Sequence, residues 1–140
     1  MKENRIFLDT DILVYAYDSS AGRKHEIAKD LAIGLWRSGG GLLSTQVLQE
    51  FFVTVTKKIK APMNADLARE IVEDMLTWDV IVNDGDSILQ AIDLRTREKL
   101  SFWDALIIAA AIRAEAQILL SEDLPHGRSI GNVTIRDPFL

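Results

Sequence analysis

Short apolar runs alternate with longer amphipathic ones along the whole chain. "RIFLD" reads as a brief buried strand, and a turn of helix is expected just after Asp11. "KHEIAKDLAIGLWRSG" spaces Ile27, Leu31 and Leu35 for one helical face, and Gly39 to Gly41 end it. "GLLS" predicts a second strand. "TQVLQEFFVTVTKKI" lines up Val47, Leu48, Phe51, Phe52 and Val55 as a helix, although its β-branched content also suits a strand. Pro62 closes that segment, and Asn64 is placed to cap "ADLAREIVEDMLTW". "DVIV" predicts a third strand, with a helix from about Ser87 to Arg97 after the "NDGD" turn. "SFWDALIIAAAIRAEA" predicts a helix, "QILLS" a strand, and "NVTIRD" a last strand before Pro138.

Alternating strands and helices predict an α/β fold: a mainly parallel sheet covered by helices on both faces. Such sheets place their ligand sites beyond the carboxyl ends of strands. Two acidic stretches fall there, "LDTD" and "LLSEDL".

Composition narrows the chemistry. With 140 residues and no repeat, linker or low-complexity tract, one domain spanning 1–140 is expected. The absence of cysteine removes disulfides, thiolate zinc sites and cysteine nucleophiles, and fits a reducing cytoplasm. No secretory signal is visible, and the longest apolar run, Ala105 to Ile112, is too short to span a bilayer; no membrane is expected. A net charge of −5 disfavours holding long nucleic acid by bulk electrostatics, but not a local grip on a few phosphates. Basic residues gather at Lys57, Lys58 and Lys60, and at Arg95, Arg97 and Lys99. Both groups suit the last turn of a helix, where cations meet the negative end of the dipole. A substrate or partner contact is the other reading.

Asp9 stands out among the acids. It ends a buried strand, and Thr10 and Asp11 are available beside it to cap the next helix, so Asp9 is read as functional and Asp11 as the cap. Taken singly, Asp104 is a near capping box with Ser101, Glu50 a solvated helix residue and Asp123 a turn residue. His25 and His126 lack ligand-spaced partners and are read as surface residues. Together, several carboxylates without cysteine make a ligand set for magnesium or manganese rather than zinc.

In "FLDTDILVYAYD", "STQVLQEFF", "FWDALIIAAA" and "LLSEDLPHG" the chain resembles the PIN-domain nucleases, and within them the VapC toxins of toxin–antitoxin pairs. The resemblance implies a three-layer α/β/α domain with metal-dependent endoribonuclease activity. It carries catalytic roles to Asp9, Glu50, Asp104 and Asp123, with metal on Asp9, Asp104 and Asp123, and a supporting hydroxyl at Ser121. It also implies an RNA substrate, a Mg2+ or Mn2+ cofactor, a homodimer and a small antitoxin partner. Asp11 departs from the family, which more often has asparagine there. Metal-activated water attacking in line would leave a 5′-phosphate and a 3′-hydroxyl.

Two rivals use the same residues. "IFLDTDIL" also resembles the first motif of the haloacid dehalogenase phosphatases, with Asp9 as nucleophile. "NDGDSILQAID" imitates their late motif, but Asp86 and Asp93 are spaced too widely for it. The other rival is a PIN-like module that binds RNA or a partner without cleaving, against which stands the presence of all four acids.

Overall fold

The computed structural model describes residues 5–140. Its elements run β1 (Ile6–Leu8), α1 (Thr10–Tyr17), α2 (Arg23–Ser38), β2 (Gly41–Ser44), α3 (Thr45–Lys57), α4 (Ala65–Met75), β3 (Asp79–Ile81), α5 (Gly85–Glu98), α6 (Phe102–Arg113), β4 (Ile118–Leu120), β5 (Ser129–Ile130) and β6 (Val133–Arg136). The sheet order is β3-β2-β1-β4-β6-β5. All pairs are parallel except β5 with β6. The expected three-layer α/β/α architecture is what the chain adopts.

The order of strands explains the layers. From β1 the chain steps to β2 and β3 in one direction, then returns across the sheet to β4. Right-handed crossovers put α1–α4 over one face and α5 with α6 over the other. The reversal falls between β1 and β4, where a doubly wound sheet opens a crevice at its carboxyl edge.

The central strands are apolar on both faces because both are covered. Phe7, Leu8, Leu42, Leu43 and Leu119 are wholly buried, and Phe7 sits opposite Leu42 on one side and Leu119 on the other. Helix α6 buries every residue from Ala105 to Ala111, and its alanines let the sheet and α5 approach closely. Gly41 is fixed by sterics: a Cβ there would lie 2.3 Å from the Trp78 ring. Gly39 ends α2 in the left-handed region at φ 76°, which glycine adopts without penalty.

Three expectations need correction. Helix α1 starts at Thr10, so Asp9 is its N-cap and Asp11 lies inside the first turn. His25 is no surface residue: its side chain is 14% exposed and Nδ1 lies 2.8 Å from the Tyr15 carbonyl. Strand β5 was not expected, being two residues long. The strand alternative for α3 fails, because Ser44 caps it through Val47 N–H and its apolar face is buried. Both basic groups do lie at helix ends, Lys57 and Lys58 closing α3, Arg95, Arg97 and Lys99 closing α5.

Candidate metal centre

Strands β1 and β4 end side by side, the Asp9 N–H donating to the Leu120 carbonyl at 3.0 Å. That pairing sets Asp9 next to Ser121. Each oxygen of the Asp9 carboxylate accepts one hydrogen bond: Oδ1 from Thr10 N–H at 2.7 Å, and Oδ2 from the Ser121 hydroxyl at 2.8 Å. Ser121 is wholly buried, and its oxygen accepts in turn from the N–H groups of Asp123 and Leu124. The hydroxyl thus ties the end of β1 to the loop after β4.

Asp11 turns into the same crevice. Its Oδ2 accepts from Glu122 N–H at 3.1 Å, while Oδ1 is buried without a hydrogen-bond partner among the described residues. Burial pushes the Asp9 carboxyl up to about 6, with the charges of Glu50 and Asp104 adding to the rise and the bonds from Ser121 and Thr10 opposing it. Asp11 is pushed further, to about 8, by burial and then by the charges of Asp9 and Asp123.

The other acids reach the crevice from separate elements. Glu50 comes from α3 and is gripped twice: the Thr10 hydroxyl donates to Oε1 at 2.6 Å, and the Gln46 amide lies 3.3 Å from Oε2. Asp104 sits in the first turn of α6, where Ser101 caps its N–H at 3.1 Å. No described donor binds the Asp104 carboxylate, so the reciprocal half of a capping box is missing. Asp123 is exposed on the loop after β4. All four sequence-expected acids therefore share one electrostatic neighbourhood, Asp9 feeling Glu50 and Asp104, and Asp11 feeling Asp123. The first turns of α1 and α6 hold Asp11 and Asp104, where helix dipoles favour negative charge.

Oxygens of Asp11, Glu122 and Asp123 come within 4.8 Å of one another, a spacing that one divalent cation can bridge. Only Asp123 of the expected ligands belongs to this trio. Glu122 is already occupied: Tyr15 OH donates to Oε1 at 2.7 Å, and the Lys24 ammonium pairs with Oε2. Burial pushes its carboxyl up, but the bonds from Lys24 and Tyr15 and the lysine charge more than reverse that, leaving it below its ordinary value. The donor set fits a hard cation, since every donor is a carboxylate and the buried Asp11 Oδ1 has no other partner.

Sequence reasoning missed Thr10 and Gln46 as the groups that hold Glu50. The Gln46–Glu50 spacing of i and i+4 puts both on one helical ridge, and that signal was readable. Asp11 was misread for want of one residue of precision in the helix start.

The PIN domain model matches residues 6–125. The chain belongs to the PIN domain family. Its fold is similar to VapC20 of Mycobacterium tuberculosis, a sarcin–ricin loop cleaving toxin, at 23% identity and TM-score 0.64, covering 81% of this chain and 86% of that one. A toxin–antitoxin complex from Klebsiella pneumoniae matches at 22% identity and TM-score 0.69, covering 95% and 97%. VapBC2 of Rickettsia felis, bound to a promoter DNA fragment, matches at 21% identity and TM-score 0.64, covering 94% and 96%. No curated protein matches the chain. Fold and acidic cluster are consistent with metal-dependent nuclease activity. No described helix is long and apolar enough to cross a membrane.

Proposed function

We propose that the protein is a metal-dependent endoribonuclease, the toxin of a type II toxin–antitoxin pair, acting as a single PIN domain. The observation that carries this reading is Asp9: a carboxylate at the end of a central strand, desolvated, and pressed by the charges of Glu50 and Asp104. Such an arrangement opposes folding unless a cation relieves it. Asp9, Asp104 and Asp123 would hold Mg2+ or Mn2+, with Asp11 Oδ1 available as a further oxygen. When bound, the ion lowers the pKa of water and polarises the scissile phosphate.

The chain's own residues do the rest. Ser121 and Thr10 fix the Asp9 carboxylate through both oxygens, so it meets the ion without rotating. Thr10 and Gln46 fix Glu50, which, like Asp123, would complete the coordination or take the proton from the attacking water. Attack in line leaves a 5′-phosphate and a 3′-hydroxyl, and no protein nucleophile is needed. The antitoxin partner and homodimer belong to the same proposal. A short reading frame directly upstream and light scattering in the micromolar range test them, and a monomer throughout would count against the dimer.

The phosphatase reading gains nothing from the fold. Asp86 and Asp93 are exposed on α5, which follows an edge strand separated from β1 by β2. Asp84 is committed to capping Ser87 and pairing with Arg113.

The test is Asp104→Asn. Asparagine is nearly isosteric, and the Ser101 cap on the backbone N–H stays in place, so circular dichroism should be unchanged. RNA cleavage in magnesium should vanish in the variant, and in wild type with chelator. Full cleavage by the folded variant would overturn the assignment.

A further inference from the structure

Residues Gln46, Glu50, Thr54 and Lys58 follow one another at intervals of four, so they form one ridge along α3. Thr10, Gln49, Glu50, Val53, Thr54 and Lys58 line an open cavity of about 380 Å³ beside that ridge. The cavity starts at the acidic centre and ends at a lysine roughly 12 Å away along the helix. At the Gln46 end of the ridge, on the far side of Glu50 from Lys58, lies the Trp103 backbone carbonyl. Trp103 is 62% exposed, and its ring packs edge-on against Phe102 with centroids 5.1 Å apart.

One buried side chain links the two flanks. Gln46 is 5% exposed, and its amide nitrogen lies 3.3 Å from both Glu50 Oε2 and the Trp103 carbonyl. Gln46 therefore fixes the start of α6, and with it Trp103, relative to Glu50. Its own Oε1 is buried and unpartnered among the described residues. An exposed tryptophan at one end and a lysine at the far end of a cleft match a nucleotide strand: a base to stack and a phosphate to pair.

We infer that a single-stranded RNA crosses the centre with one unpaired base stacked on Trp103 and a phosphate on the other side of the cut held by Lys58. The inference rests on the nuclease reading and adds the path and the contacts of the strand. A duplex keeps its bases in the stack and offers none to the indole, so strandedness is selected by Trp103 rather than by the carboxylates.

The experiment compares wild type, Trp103→Phe, Trp103→Ala and Lys58→Gln on a mixed-sequence single-stranded oligoribonucleotide in magnesium, with the same strand annealed to its complement as control. Circular dichroism checks the fold of each variant. Trp103→Ala should raise KM at least about fivefold with kcat little changed, and Trp103→Phe should restore most of the loss. Lys58→Gln should make the slope of log kcat/KM against log salt shallower by about 0.7. In chelator, the single strand should quench wild-type tryptophan emission, and that quench should be absent in Trp103→Phe. Trp36 and Trp78 pack on each other at 5.9 Å and are common to both proteins. If wild type cleaves the single strand but Trp103→Ala keeps its KM, or the duplex is cut equally well, the inference is wrong and the nuclease reading stands. If wild type cleaves no RNA, both fall.

Discussion

The acidic crevice has two halves built on opposite terms. The deep half, Asp9 and Asp11 with Ser121, lies between the ends of β1 and β4, where burial has raised both carboxyls. The rim half, Asp104 and Asp123, reaches in from α6 and a loop, and no described donor binds the Asp104 carboxylate. In the deep half, position is fixed by hydrogen bonds at the expense of stability. At the rim, Asp123 is exposed and no described donor holds the Asp104 carboxylate, so both are free to respond to what enters. In the nuclease reading, the deep half would add relief of strain to the affinity of a cation that Asp9 shares with the rim acids Asp104 and Asp123.

The largest expected effects are on catalysis. Asp9→Asn and Asp104→Asn should each lower RNA cleavage at least about 100-fold, since each removes a carboxylate that would hold the cation against the developing negative charge of the phosphate. Their stabilities should differ. In chelator at pH 7, Asp9→Asn should unfold at higher temperature than wild type, and Asp104→Asn, which relieves only its share of the repulsion on Asp9, should rise by less. Equal shifts in both would erase the distinction between depth and rim.

Next in size is the response to metal. Magnesium at about 100 times its Kd should stabilise wild type by about 2.7 kcal/mol, because it binds the folded crevice and not the unfolded chain. Asp9→Asn should gain much less. Identical responses to magnesium in the two proteins would remove Asp9 from the site.

A pH series sharpens the deep half further. A carboxyl whose folded pKa is raised favours the fold fully below its unfolded value of 3.8, and that contribution is lost as pH rises through the folded value. For Asp9 and Asp11 the loss runs from about pH 4 to about pH 8. Metal-free wild type should therefore lose stability steadily across that window, which thermal melts at about pH 4, 6 and 8 in chelator would read. Asp11→Asn should flatten the curve. Asparagine can still accept from Glu122 N–H, and its uncharged side chain suits the buried position. A curve as steep in Asp11→Asn as in wild type would show that Asp11 carries no such strain.

How far the sequence foretold this crevice depended on the range of the contact involved. Asp9 stood out by itself at the end of a legible strand, whereas Glu50, Asp104 and Asp123 each had a sufficient local reading and were singled out by the resemblance to the PIN motifs. The caps at Asn64 and Ser101 were legible because a cap is a local pattern. Asp11 was not, because "LDTD" offers three cap candidates and a shift of one residue in helix start turns the side chain from surface to interior. His25 required knowing that α2 packs on α1 and presents its ring to the Tyr15 carbonyl. The Tyr15 and Lys24 partners of Glu122 lie about a hundred positions away in sequence, and no local pattern announces them.

Glu122 also yields the smallest prediction and the one that separates two accounts of the ion. Its carboxylate lies in the trio with Asp11 and Asp123, yet both its oxygens are taken, and Lys24 covers the rings of Tyr15 and Phe139 at 5.4 and 5.5 Å. A metal ligand would have to give up a lysine that already neutralises it, which favours a structural clamp between α1, α2 and the loop after β4. Glu122→Gln should then keep Tyr15 as a hydrogen-bond donor, lose only the pairing with a half-exposed lysine, and cost about 1 kcal/mol or less. Its cleavage rate and its stabilisation by magnesium should match wild type. Lys24→Met, which frees Glu122 to face the crevice, should likewise leave the metal response unchanged. If Glu122→Gln instead abolishes the magnesium shift in the melting curve, the ion sits on the trio, and the deep half extends past Asp11 onto the β4 loop at the expense of Asp9 and Asp104.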